Sequence, residues 1–326
     1  MAKTKVLVTG AGGFIGSHLV SHLRKKGYWV RGVDIKRPEF KKSDAHEFKL
    51  LDLRDASKAL KATKGMKEVY GLAADMGGMG FISSNHYQIL SNNARINLNT
   101  LDGAILNKVQ RYYYTSSACV YPEHLQEKAN IRGLKEEDAY PAAPQDAYGW
   151  EKLIVERLCH YANAERRIKA RIVRFHNIFG SRGTWDGGRE KAPAAMCRKI
   201  AVAELTGNHT IEIWGDGKQT RSFCHVNDCV EGIFRHMRSG YSEPLNMGQD
   251  RMVTINQMAD MIAKGAGFKI RRKHIKGPQG VRGRNSDNSR LRKVLRWEPR
   301  ISLEDGLAET YGWIREQVKK KLARKR

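Results

Sequence analysis

Two groups of residues have the types and spacing to do chemistry. The first is Thr9-Gly10-Ala11-Gly12-Gly13-Phe14-Ile15-Gly16, which follows an apolar, β-branched run and opens a helical stretch. Glycines 10, 13 and 16 permit a tight turn, close approach of backbone N–H groups to a pyrophosphate, and close packing of helix on strand. The anion would sit on the helix N-terminus, where unsatisfied amides and the helix dipole favour negative charge. Asp34 closes the next apolar run. A carboxylate there accepts hydrogen bonds from a ribose diol and repels a 2′-phosphate, so the string reads as an NAD site. Arg37 beside it pulls the other way. Phe14, Ile15 and Ala73 count with the cofactor contacts, and Asp52 is a candidate for the adenine. The second group is Tyr148-Gly149-Trp150-Glu151-Lys152. Tyr and Lys four apart share one helix face. An ammonium beside the phenol would favour the phenolate, and lowering a tyrosine pKa by about 3 units takes roughly 4 kcal/mol.

The elements that must hold these groups alternate. Strands are expected at Lys5–Thr9, Trp29–Val33, His46–Leu51, Glu68–Leu72, Arg111–Thr115 and Ala170–Phe175. Helical periodicity runs through Phe14–Lys26, Asp55–Thr63, Tyr87–Asn107 and Asp146–Ala164. Strand–helix alternation with short links predicts an α/β fold, a Rossmann-type doubly wound parallel sheet. After about residue 177 the loops lengthen and Gly and Arg become dense. Helices are expected there at Ala192–Leu205, Asn227–Arg238, Ile255–Ala266 and Leu303–Lys321. The expected division is an NAD-binding domain over 1–176, with a returning segment around 222–248, and a smaller C-terminal α/β substrate domain over 177–326.

Composition narrows the class further. The chain has 326 residues, is 40% hydrophobic and 29% charged, and contains 31 Gly and 8 Pro. That is a globular balance. No apolar run is long enough for a membrane helix, and the start, Met-Ala-Lys-Thr-Lys followed by Val6-Leu7-Val8, does not have the layout of a secretory signal. Cys119, Cys159, Cys197, Cys224 and Cys229 are odd in number and form no Cys-x-x-Cys pair, so neither a disulfide framework nor a metal site is expected, and a cytoplasmic setting fits. The net charge of +25 favours anionic partners: nucleic acid, anionic lipid or a phosphorylated substrate. The basic runs (Arg24-Lys25-Lys26, Lys41-Lys42, Arg271-Arg272-Lys273 and the tail Lys319-Lys320-Lys321 with Arg324-Lys325-Arg326) are scattered. Without a zinc finger or an aromatic–Gly RNA-binding signature they read as solvated faces and not as a nucleic-acid surface.

Gly10-x-x-Gly13-x-x-Gly16, then Ser117, then Tyr148-x-x-x-Lys152, resembles the extended short-chain dehydrogenase/reductases of the NAD-dependent epimerase/dehydratase family along essentially the whole chain. The resemblance implies oxidation of a sugar C4 hydroxyl by NAD, with Tyr148 as base and Ser117 orienting the hydroxyl. Ser116-Ser117-Ala118-Cys119-Val120-Tyr121-Pro122 carries a cysteine where related 4-epimerases have a threonine and 4,6-dehydratases an acidic pair. Further strings are Ala73-Ala74-Asp75-Met76-Gly77-Gly78-Met79-Gly80, Arg174-Phe175-His176-Asn177, Gly187-Gly188-Arg189-Glu190-Lys191, Trp214-Gly215-Asp216-Gly217 with Gln219-Thr220-Arg221-Ser222, and Gly280-Val281-Arg282-Gly283-Arg284-Asn285-Ser286-Asp287.

These strings narrow the resemblance to the branch that inverts the carbons on either side of C4 in GDP-mannose. The implied products are GDP-L-galactose and, by C5 inversion alone, GDP-L-gulose, with NAD regenerated. Oxidising C4 makes the C3 and C5 protons removable, and inversion needs a base on one face and an acid on the other. The resemblance assigns Cys119 as base and Lys191 as acid. It makes Gly77, Ser117, Ala118, Cys119, Asn177 and Glu190 substrate contacts, together with Lys191, Lys199, Gln219, Arg221 and Arg284. It also implies a homodimer formed through the helices at Tyr87–Asn107 and Asp146–Ala164. A 4-epimerase or 4,6-dehydratase of another nucleotide sugar is the alternative within the fold; Cys119 and the missing acidic pair argue against it. A non-catalytic, NAD-loaded RNA-binding protein is the alternative outside enzymology; intact Ser117, Tyr148 and Lys152 argue against that.

Overall fold

The computed structural model describes residues 3–278 and 280–324; Lys325 and Arg326 of the basic tail lie outside them. The first half runs β1 (Lys5–Thr9), α1 (Phe14–Lys25), β2 (Trp29–Asp34), β3 (Glu47–Leu50), α2 (Ala56–Thr63), β4 (Glu68–Gly71), a short α3 (Met79–Ile82), α4 (His86–Leu106), β5 (Arg111–Ser117), α5 (Ala147–Ala164), β6 (Lys169–Phe175) and β7 (Ile178–Phe179). The second half runs α6 (Ala192–Thr206), β8 (Thr210–Trp214), β9 (Thr220–Ser222), β10 (Cys224–His225), α7 (Val226–Arg238), β11 (Leu245–Met247), β12 (Met252–Thr254), α8 (Ile255–Gly265), β13 (Arg271–Ile275), β14 (Gly283–Arg284), α9 (Ser289–Leu295) and α10 (Leu303–Ala323).

Seven strands form one sheet in the order β11-β6-β5-β4-β1-β2-β3, paired in parallel throughout. The period of two sorts side chains to its faces. Val6 and Val8 of β1 join Val20 and Leu23 of α1 and Ile233 of α7 on one side. Leu7 between them joins Val69, Tyr112, Leu101 of α4 and Val155 of α5 on the other. Both faces are covered, as a parallel sheet requires. Strand order reverses between β1 and β4, and in such sheets ligands sit at that switch point, beyond the carboxyl ends of the strands.

A second core gathers Ile200 of α6, Ile211 of β8, Met258 of α8 and Ile314 of α10. The chain returns to the large sheet between these elements, because α7 packs on α1's side and β11 pairs with β6 through Leu245, Asn246 and Met247. The short strands of this half form small sheets of their own, among them β12-β9-β14 and β13-β8. No described helix is long and apolar enough to cross a membrane.

Candidate active site

The cofactor end grows from the turn after β1. Gly10 has φ +67°, the left-handed region that glycine enters without strain. A Cβ on Gly16 would overlap the Gly10 carbonyl oxygen, and one on Gly12 would overlap the carbonyl oxygen of Lys36. The Gly12 N–H donates to Asp34 Oδ2 at 2.9 Å, and the Lys36 N–H to Oδ1 at 3.2 Å. Asp34 therefore stands at the rim of the turn with its carboxylate locked from below. α1 starts after Gly13 with no side-chain cap and no acidic residue in its first turn, so its leading amides carry no built-in anion. The cleft above is lined by Gly12, Gly13, Phe14, Lys36 and Arg182. A backbone cradle that any Cβ would fill, a cation on each side and a carboxylate at the ribose position fit a dinucleotide.

Gly12 and Arg182 were not among the expected cofactor residues. The unbroken Gly12-Gly13 pair was the available signal for the first. Arg182 arrives from beyond β7 and had none. Ala73 is tied into this end, its N–H donating to Thr9 Oγ1 at 3.1 Å. Ile15 packs into the core beneath the sheet. Asp52 is already engaged: Arg54 grips its carboxylate at 2.6 Å and holds it below the usual carboxylate range. Arg37 lies over the Phe48 ring, 5.7 Å from its centroid.

The reactive end begins where β5 runs out. Ser117 is its last residue, and Ala118–Val120 turns once as a 3-10 helix, with the Cys119 N–H donating to Ser117 Oγ at 3.2 Å. Asp146 caps α5 by accepting the Gly149 N–H at 2.8 Å, worth about 1 kcal/mol in such a place. Gly149 is a further missed residue. A Cβ there would overlap the Cys119 carbonyl oxygen, so glycine is what lets α5 press against the Cys119 turn. Tyr148 packs with Ile82, Ile89 and the edge of Cys119, and it hydrogen-bonds Ser117.

Lys152 is buried, its Nζ 5.4 Å from the Tyr148 ring centroid, 5.1 Å from that of Tyr114 and 3.8 Å from Glu151 Oε2. Lys152 is thus the ammonium expected beside Tyr148. Burial comes first and holds the phenol well above its usual pKa. Cys119, Glu151 and Asp146 add to that, and Ser117 opposes it.

The cations around Cys119 come from far along the chain. Arg284 Nη1 donates to Cys119 Sγ at 3.3 Å, and its Nε to Gln126 Oε1 at 2.6 Å. β14 pairs in parallel with β9, which sets Arg284 beside Arg221. Arg221 donates to the carbonyls of Thr220 and Val281 at 2.7 Å. Burial, then Arg284, hold its guanidinium well below the usual arginine value, against a pull upward from Cys119. Lys191 precedes α6 and keeps much of its surface open. Desolvation at the cleft still pushes its amine down; Cys119 and Cys229 raise it and Arg284 lowers it.

Other expected substrate contacts are partly committed within the protein. Glu190 accepts from the Gly188 N–H and from Arg198, both at 2.7 Å, so each carboxylate oxygen is taken. Lys199 donates to the Glu212 carbonyl at 2.6 Å beside the Trp214 ring. Gln219 donates to the Trp214 carbonyl, while its Oε1 is buried with no hydrogen-bond partner among the described residues. Asn177, at φ +46°, donates to the Ser222 carbonyl. Ala118 is buried in the turn. The space beside Gly77 is filled by Phe81, whose Cβ would stand 2.8 Å from an added Cβ.

Residues 6–248 match the family model "NAD dependent epimerase/dehydratase family". The chain belongs to this family. Its cofactor is NAD. The chain is 50% identical over 320 residues to GDP-mannose 3,5-epimerase 1 of Oryza sativa subsp. japonica, covering 98% of this chain and 83% of that one. It is 49% identical over 322 residues to GDP-mannose 3,5-epimerase of Arabidopsis thaliana, with 98% and 84% covered. These relatives are carbohydrate epimerases, that is, isomerases. Among solved structures it is similar to MoeE5 in complex with UDP-glucuronic acid and NAD: TM-score 0.82, 28% identity, 96% of this chain and 99% of that one. The fold is shared with UDP-glucose 4-epimerase of Thermotoga maritima at TM-score 0.84 and 24% identity, covering 97% and 100%.

Proposed function

We propose that this family member is a GDP-mannose 3,5-epimerase, yielding GDP-L-galactose and, by inversion at C5 alone, GDP-L-gulose. The observation that carries the reading is the seat of Cys119. A thiol packed against Tyr148 and accepting from the guanidinium of Arg284 at 3.3 Å, with Arg221 held in register beside Arg284, is a set suited to carbon acid chemistry beside a diphosphate. Thiolates form where cations surround them, and planar guanidinium groups suit phosphate. The identity to the plant enzymes supports the same substrate.

Bound NAD supplies a reversible two-electron oxidation at C4. Gly12, Gly13 and Asp34 would hold it, with Lys36 and Arg182 lining the same cleft. Tyr148 Oη takes the C4 hydroxyl proton and later returns it, with Ser117 orienting that hydroxyl. At the ketone level the C3 and C5 protons lie next to a carbonyl. Cys119 Sγ removes them, and Lys191 Nζ delivers protons on the opposite face. Each centre loses one proton and gains one, so atoms balance. Arg221 and Arg284 hold the diphosphate, and Gln219 Oε1 offers an acceptor to the nucleotide.

Incubation with GDP-mannose in D2O, read by mass spectrometry, tests this. One or two deuterons with new GDP-hexose isomers and no added reductant are expected. No deuterium and no isomer would refute the substrate assignment.

The exposed apolar residues of α4 and α5, including Tyr87, Leu98, Leu106, Trp150, Ile154 and Tyr161, support pairing of two copies through these helices. Sedimentation equilibrium should give a dimer, and Ile154→Glu a monomer.

A further inference from the structure

Glu151 is an acid in a place that burial discourages. It is 2% exposed on the inner side of α5. Its Oε1 accepts a 2.7 Å hydrogen bond from Asn97 Nδ2 on α4. Its Oε2 has no hydrogen-bond partner among the described residues and lies 3.8 Å from Lys152 Nζ. A buried carboxylate is costly unless paired, and this one is paired on one oxygen by a neutral amide and on the other by an ammonium at slightly more than bonding distance.

The Lys152 ammonium therefore has two kinds of partner. The rings of Tyr114 and Tyr148 lie 5.1 and 5.4 Å from its Nζ, and Glu151 Oε2 lies 3.8 Å from it. Other groups face this pair from every element packed on it. Tyr148 meets Cys119 from the turn after β5, Ser117 from β5 itself, and Asp146 and Glu151 from its own helix. Glu151 acts on Tyr112 and Tyr114 of β5, with Glu156 and Cys159 farther along α5 and Asp102 of α4 beyond Tyr112. Lys152 is the cation beside Tyr148, and Glu151 is the acid in ion-pair range of it; Arg284 bonds Cys119, and Arg174 pairs with Glu156.

A group that acts once as a base gains from easy ionisation. A group that must take a proton and hand the same proton back within one cycle works best with balanced affinity. The reaction proposed above has no net redox change, so Tyr148 must do both. An ammonium left unpaired beside the phenol would favour only the first half.

We propose that Glu151 is a positioning residue: fixed by Asn97, it anchors the Lys152 ammonium against Tyr148 and tempers its charge, so that Tyr148 serves as base when C4 is oxidised and as acid when C4 is reduced. The proposal rests on the reading of Tyr148 as the proton-transfer group.

The test titrates Tyr148 itself in the NAD-loaded enzyme. Tyrosines labelled with 13C at Cζ are followed by NMR, and the Tyr148 signal is the one missing from Tyr148→Phe. Glu151→Gln keeps the shape and an acceptor for Asn97 but removes the charge. Tyr148 is expected to ionise about one pH unit lower in this variant. With GDP-mannose added, the acid limb of kcat should move the same way, raising the rate there about tenfold. Reduced cofactor should also accumulate, because the returning proton is held less firmly. Asn97→Leu should shift the titration in the same direction, since Glu151 loses the hydrogen bond that fixes it beside Lys152; this second variant decides the matter if the first fails to fold. An unmoved Tyr148 titration in the folded variants overturns the proposal, whatever happens to turnover. Since the titration uses no substrate, absence of deuterium exchange in the wild-type enzyme would count against the substrate assignment and leave this inference standing.

Discussion

The two ends of the cleft are built on opposite plans. At the cofactor end, the hydrogen bond that seats Asp34 joins residues 22 apart in the chain. At the reactive end, the bond from Arg284 to Cys119 joins residues 165 apart. The first is largely a local motif, β1, a turn, α1 and β2, whose geometry follows from where glycine stands, with Arg182 arriving from far along the chain. The second exists only when β14 has found β9 and the Cys119 turn has found α5. Recognition of a widely used cofactor rides on a compact local device. The end proposed to recognise the sugar is assembled from segments that meet only in the finished fold.

Lesions should separate the two ends. Cys119→Ala is expected to have the largest effect: exchange of the sugar carbon protons with D2O falls at least about a hundredfold, while C4 oxidation persists as retained reduced cofactor and NAD affinity stays unchanged. Loss of NAD binding in this variant would erase the distinction drawn here. Gly16→Ala is the converse. Its Cβ overlaps the Gly10 carbonyl, so NAD retention, measured by isothermal titration, should be lost, with a stability cost of roughly 3 kcal/mol in urea unfolding. Gly149→Ala strikes the contact between α5 and the Cys119 turn. Turnover should fall about tenfold through misplacement of the reacting groups, with NAD affinity within a factor of about two.

The smallest effect concerns His18 on the cofactor helix α1. Its side chain hydrogen-bonds the Phe14 carbonyl, and burial, as the leading cause, lowers its pKa from 6.5 to about 4. The folded state therefore binds fewer protons than the unfolded chain between these values. The stability held at neutral pH declines as the pH falls from about 6.5 to about 4, by up to about 3 kcal/mol from this residue. Urea unfolding across that range should show a flatter dependence in His18→Gln, while His176 and His236, both depressed to about 3 by burial, keep some slope. An unchanged slope would remove His18 from the account.

Much of the fold was legible because its signals are local. β1 with α1, the alternation through β6, and the Asp146 start of α5 all follow from apolar periodicity, glycine and a capping carboxylate. The short strands β9, β10, β12 and β14 were not legible, since two or three residues carry no period. That gap explains what was hard to see at the site. The residue type of Arg284 stood in the sequence, but its seat against Arg221 is a matter of register between β14 and β9. Glu190 stood in the sequence as a candidate substrate contact, but that Gly188 and Arg198 hold its two oxygens is visible only in the folded chain. The Lys152–Tyr148 spacing pointed to an electrostatic push, and the packed interior added what spacing does not show: Glu151 in ion-pair range of Lys152, and burial acting on Tyr148 in the opposite direction.

The register that sets Arg221 beside Arg284 reaches beyond chemistry. Two like charges held side by side make a part of the molecule that resists its own closure, and a doubly charged ligand removes that resistance. Ligand that binds only the folded form raises its stability in proportion to the logarithm of ligand concentration, and in cells stability governs how long a protein survives proteases. The abundance of this enzyme should therefore follow the supply of its sugar nucleotide without any regulator: well fed, it persists; starved, it is cleared.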